Sequence, residues 1–185
     1  DSFALGRLTE AKENTRQEVG GFFLERMKGY FKDLGYTNSE VDAALAVGGF
    51  EVWADIPKRL SAVRAFAALP EAPALAAANK RISNILKKEE NVDATVNAAL
   101  LQEPAEIALF VAMSDVAPKA KAQFEAGDYT ASLQSLAALR APVDAFFDGV
   151  MVNAEDLALR KNRQGLLKTL HEAMNRVADL SKLAT

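Results

Sequence analysis

An all-α fold, a bundle of about eight helices, is what these 185 residues predict. Three observations carry the prediction. Half of the residues are hydrophobic, and Ala and Leu dominate that half, side chains that lose little rotamer freedom in a helix. Apolar residues recur at spacings of three and four almost from end to end, interrupted by Gly, Pro and Asn or Asp. No stretch alternates apolar with β-branched residues as a half-buried strand would.

The elements follow in order. A first helix is expected over about 3–19, and a second from Phe22 to Leu34 after Gly20-Gly21. In the second, Phe22, Phe23, Met27, Tyr30, Phe31 and Leu34 form one stripe that should face the core. Gly35 suits the end of that helix, because glycine adopts the left-handed cap conformation without strain. Asn38 or Ser39 can cap a short helix through Val47, closed by Gly48-Gly49. Asp55 and Pro57 read as cap and first turn of a helix reaching Leu69. Pro70 and Pro73 then start one that runs to about Lys88. Glu103-Pro104 opens a long helix toward Ala126, bent or split at Pro118. Gly127-Asp128 begins another through Leu139, a further one follows Pro142, and Asn153 can cap a last helix to about Leu183. Residues 1–70 and 71–185 are expected as two parts, a helical lead-in and a main domain. The first residue is Asp1 and not Met, so a piece of a longer protein is expected.

Composition and charge narrow the function. There is no cysteine, which removes disulfides, thiolate zinc sites and cysteine nucleophiles together and suits a reducing, cytoplasmic setting. No apolar run approaches the roughly 20 residues needed to span a bilayer, and the start carries no secretion signal, so no membrane partner is expected. The net charge of −3 conceals two basic segments. Residues 58–88 hold 7 basic side chains against 1 acidic, and residues 158–185 hold 6 against 2. Between them, residues 89–157 hold 12 acidic side chains against 3 basic. Such segregation says more about a partner than the total does. Phosphate-loop glycine motifs are absent, and the lone His171 can neither form a two-histidine metal site nor pair with a readable nucleophile. The chain is expected to hold no catalytic site and no metal or cofactor of its own.

Each basic segment maps onto one helix face. Over Ala76–Lys88, Leu75, Ala78, Ile82, Ile85 and Leu86 form a core stripe at 100° per residue. Lys80, Ser83, Asn84 and Lys87 collect opposite, flanked by Arg81 and Lys88. No acidic residue is interleaved there, as the i,i+4 pairs of a merely soluble helix would require, which points to an anionic partner. In the last helix, Leu159, Leu166, Leu170, Met174 and Val177 form the apolar stripe. Arg160, Gln164, Lys168, His171 and Asn175 form a polar one, with Lys161 beside it. Such donors suit phosphates and the edges of unpaired bases. Arg163 points into the apolar arc, where a guanidinium needs a partner; Asp144, Asp148, Asp156 and an RNA phosphate are the candidates. Tyr30, Tyr36, Trp53 and Tyr129 could stack on bases but are better read as packing residues.

At these residues the sequence resembles a known family. The stretches A-A-A-N-K-R-I-S-N-I-L from Ala76, L-A-A-L-R-A-P-V-D-A-F-F-D-G-V from Leu136, A-L-R-K-N-R-Q-G-L-L from Ala158 and R-V-A-D-L-S from Arg176 occur in the order found in bacterial glycyl-tRNA synthetase beta subunits. The similarity is strongest over 71–185 and extends more weakly to Phe22–Tyr36. The resemblance implies a helical anticodon-binding domain of the type named after a DALR motif. It also implies an α2β2 enzyme whose alpha chain holds the glycine- and ATP-dependent active site, with magnesium, so that this chain's partners would be glycine tRNA and the alpha subunit, with no DNA. Glycine anticodons share two cytosines, which need donors and acceptors together. The residues this implicates are Asn79, Asn84, Asn162 and Gln164 for bases and Lys80, Arg81, Lys87, Arg160, Lys161, Arg163 and Lys168 for phosphates. The competing expectation is a protein-interaction module whose acidic middle contacts another chain.

Overall fold

The structure, a computed structural model, describes residues 21–47, 54–89 and 91–184. Within them it is all-α, with no strand. Helix α1 covers 21–33, α2 Asn38–Leu45, α3 Ile56–Ala67, α4 Ala72–Leu86, α5 Pro104–Glu125, α6 Tyr129–Ser135, α7 Arg140–Gly149 and α8 Leu157–Met174. Short 3-10 turns stand at Ala98–Leu100, Leu136–Leu139 and Leu180–Leu183. The expected helix over 3–19, the Gly48-Gly49 stop and Trp53 lie outside the described residues. No helix described is long and apolar enough to cross a membrane.

The hydrophobic core sits where α3 to α8 converge, around Phe66, Leu75, Ile82, Leu109, Phe146, Leu166 and Leu170. A smaller cluster joins Phe31, Val41, Ala44, Ile56 and Leu60. Because α3 supplies Ile56 and Leu60 to the second cluster and Val63 and Phe66 to the first, it ties α1 and α2 to the rest.

Several local expectations are corrected. The α1 stripe does not face the core: Phe22 is 67% exposed, Tyr30 58% and Leu34 53%, whereas Phe31 is 3%. The small cluster reaches α1 along Phe31 and the half-buried Met27, which leaves Phe22, Tyr30 and Leu34 exposed. Thr37, not Asn38 or Ser39, caps α2: its hydroxyl accepts from the Glu40 N–H at 3.2 Å while the Glu40 carboxylate accepts from the Thr37 N–H at 2.7 Å. Asp55 precedes α3 without capping it, because its carboxylate accepts the Tyr129 hydroxyl at 2.8 Å. Helix α5 runs unbroken through the exposed Pro118. The cap of α8 is Asp156, whose carboxylate accepts from the N–H groups of Ala158 and Leu159.

The last helix also ends sooner than expected, at Met174. Asn175 turns out of the helix (φ −109°, ψ 23°) and donates to the His171 carbonyl at 2.8 Å while accepting from the Leu180 N–H at 3.0 Å. The chain then folds back, and the Asp179 N–H reaches the Ala43 carbonyl at 2.9 Å. Arg59 closes this corner, donating to the carbonyls of Arg176 at 3.2 Å and Val177 at 2.5 Å. A cation there suits carbonyls left unpaired beyond a helix C-terminus.

Candidate nucleic-acid interface

The two basic helices lie against each other, antiparallel. Asn79 and Asn175 exchange amide hydrogen bonds of 2.7 and 3.0 Å, and one turn along, Ser83 and His171 share one of 3.0 Å. Continuing in the same direction places Lys87 of α4 near Lys168 of α8. Burial lowers the pKa of His171 most and the charge of Lys168 lowers it further, Asp179 and then Glu172 oppose this, and Lys87 adds the smallest lowering effect. Lys168 of α8 and Lys87, which ends α4, therefore lie toward the same end of the seam.

The proposed contact residues divide three ways. Lys80, Asn84, Lys87 and Lys161 are exposed, and Lys168 is half-buried with Glu172 at 3.7 Å. Arg81 is exposed but turned to the other side of α4, its guanidinium 4.3 Å from the centre of the Phe147 ring beside Asp144 and Asp148. Arg160 is half-buried and donates to the Ala154 carbonyl at 2.8 Å. Asn79, Asn162, Arg163 and Gln164 are buried. The supposed polar stripe of α8 is thus largely a covered surface, with α4 over His171 and Asn175 and residues 91–100 over Asn162 and Gln164.

That covering segment is fastened at two points. Asn162 brackets Asn97, accepting from its N–H at 2.7 Å and donating to its carbonyl at 3.1 Å. One turn along, the Thr95 carbonyl lies so close to Gly165 that a Cβ there would collide with it, and the Asp93 carbonyl would be 3.2 Å away. Together these residues build a groove of about 490 Å³ between Glu89 with residues 91–100 and the first two turns of α8. Gln164 lines it, 4% exposed, and its Nε2 has no hydrogen-bond partner.

Arg163 is paired with none of the three aspartates. It meets Glu106 of α5, Nε to Oε1 at 2.6 Å and Nη2 to Oε2 at 3.3 Å, and also donates to the Met151 carbonyl at 2.8 Å. Burial pushes the Glu106 carboxyl up, but Arg163 and the N–H groups of Glu103 and Gln102 outweigh it and hold the group below its ordinary value. Neither Glu106 nor Arg59 stands out in the sequence as a site residue. The one available signal is the capping box Glu103-x-x-Glu106 after which α5 begins. Of the aromatic candidates, Tyr129 stacks on Phe124 and holds Arg59 5.0 Å above its ring, and Tyr36 packs on Phe31 and under Arg64.

Residues 75–182 match the family model for the DALR anticodon binding domain. The chain belongs to that family. It is also similar to glycine–tRNA ligase beta subunits: 68% identical to that of Polaromonas naphthalenivorans over 88% of this chain and 23% of the relative. The identity is 61% with that of Acidovorax sp. strain JS42 over 93% and 24%, and 61% with that of Leptothrix cholodnii over 98% and 25%. The chain thus spans about a quarter of the length of the curated relatives it matches. The match to the DALR domain begins in the first turn of α4 and closes in the final 3-10 turn. It takes in both basic helices, the seam between them and the groove.

Proposed function

We propose that this chain binds the anticodon loop of glycine tRNA as the DALR domain of a glycine–tRNA ligase beta subunit. In that setting it works in the cytoplasm with an alpha subunit that carries out ATP- and magnesium-dependent attachment of glycine. The observation that carries the reading is that the matched domain takes in both basic helices, packed along one seam, with Lys87 and Lys161 exposed. Phosphate contacts of this kind give position and a salt dependence, and the base contacts add sequence.

The test is binding of the intact chain to glycine tRNA, beside copies with the anticodon cytosines changed to uracil, over a range of salt. Tighter binding of the unaltered tRNA is expected. Lys87→Ala/Lys161→Ala should flatten the log-log salt dependence by about 1.4, at about 0.7 for each single-strand phosphate no longer neutralised. Equal binding of all the RNAs with no effect of the lysines would reject the reading. A protein-interaction role would draw instead on the exposed Phe22, Tyr30 and Leu34 of α1, and would leave RNA affinity untouched when those are changed.

A further inference from the structure

Through its first three turns helix α5 is apolar on both sides. Leu109 and Met113, followed by Val116 and Ala120, fill the inner side. The ridge opposite them at 100° per residue carries Pro104, Ile107 and Val111, and Pro118 continues it. Ile107 is 44% exposed and Val111 61%, and both prolines are exposed. Nothing charged relieves this ridge over residues 104–114. The one charged side chain there, Glu106, is buried against Arg163, and the Ser114 hydroxyl is turned back onto the Phe110 carbonyl at 2.8 Å. The first exposed charge along α5, Asp115, comes only after these turns. Arg163 also binds the carbonyl of Met151, so another exposed apolar residue, at 71%, stands beside the first turn of α5.

A helix that is apolar all round belongs in surroundings that cover it all round. Pro104, Ile107 and Val111 stand at i, i+3 and i+7, the anchor spacing by which a helix lies in an apolar groove. A ridge of four side chains is small beside the roughly 1,000 Å² that a stable contact between separate chains needs. It suffices within one polypeptide, where the two surfaces are held at high effective concentration. The relatives leave room for such a second surface, since this chain spans about a quarter of their length. We infer that the outer ridge of α5 docks into an apolar groove formed by another part of the same polypeptide in a full-length beta subunit. The inference rests on the reading of this chain as part of such a subunit and adds the face by which it is held there.

The experiment is hydroxyl-radical footprinting of a full-length beta subunit that contains these residues, read residue by residue by mass spectrometry beside the 185-residue chain. In the full-length protein Ile107 and Val111 should be oxidised several-fold more slowly than in the shorter chain, down toward the rate of the buried Leu109. Val111→Arg gives a second readout. At an exposed position it should leave the melting temperature of the shorter chain unchanged, and it should lower that of the full-length protein. Equal oxidation of the ridge in both proteins overturns the inference. So does protection that grows with protein concentration, which would mean a second copy, or protection that needs an added alpha subunit. Glycine tRNA binding measured on the same samples keeps the two readings apart. An unprotected ridge in a protein that prefers the unaltered anticodon overturns the docking face alone, and a protected ridge in a protein indifferent to the anticodon overturns the anticodon reading alone.

Discussion

Arg163 illustrates how a single side chain resists reading from sequence. Its position in the apolar arc of α8 announces a buried cation, and burial of a cation announces a partner. The partner, Glu106, is 57 residues away on a different helix, and only the packing of α5 on α8 brings them together. Removing one member of a buried pair strands the other, which costs about 3–5 kcal/mol. Arg163→Met should therefore lower stability by about that much in urea melts. Adding Glu106→Leu should restore only part of the loss, since the N–H groups of Gln102 and Glu103 would then lack their acceptor. His171 makes a second prediction at this scale. Its folded pKa lies below the ordinary 6.5, so the unfolded chain takes up a proton first as pH falls. Stability is then at its full value above about pH 6.5 and declines as pH drops toward the lower folded pKa. Thermal melts should show that decline setting in below about pH 6.5, and His171→Asn should reduce it.

At the scale of elements, punctuation is the readable signal. The left-handed turns at Gly35 (φ +86°) and Gly127 (φ +79°) and the prolines opening α3, α4 and α5 fall where the sequence puts them. What escapes reading is competition among polar caps. Thr37 displaces Asn38 because it alone stands three residues before Glu40, and Asp55 is drawn away by Tyr129. Gly165 reads as a defect, weakening a helix by roughly 1 kcal/mol relative to Ala. The structure gives its purpose, which is to let the Thr95 carbonyl rest against α8. Gly165→Ala should thus destabilise by about 1–3 kcal/mol despite the better helix former, because backbone cannot yield as a side chain tip can. Calorimetry of that variant gives the sign directly: an increase in melting temperature would mean the covering segment is not held there.

For the molecule as a whole, the all-α class and the two cationic helices are legible, whereas the face they present is not. A helical wheel assigns polar residues to a side but not that side to solvent. Gln164, His171 and Asn175 lie on the polar arc of α8 and end up covered, Gln164 beneath the 91–100 segment and His171 and Asn175 beneath α4. The same blindness, with opposite sign, makes the aromatic stripe of α1 look like core when most of it is exposed.

The Asn79–Asn175 amide pair, fully buried on the Asn79 side, has a consequence for how the surface meets its ligand. Apolar helix contacts tolerate slippage, since one leucine docks almost as well as the next. Two interlocked amides do not, because a shift of one turn would leave donors and acceptors stranded in a dry interface. The pair works like a registration mark between two printed sheets. It fixes α4 and α8 at one offset, and with them the distance between the lysines that each carries. A ligand arriving at this surface finds its charges already spaced, so little of the binding free energy is lost to ordering the protein.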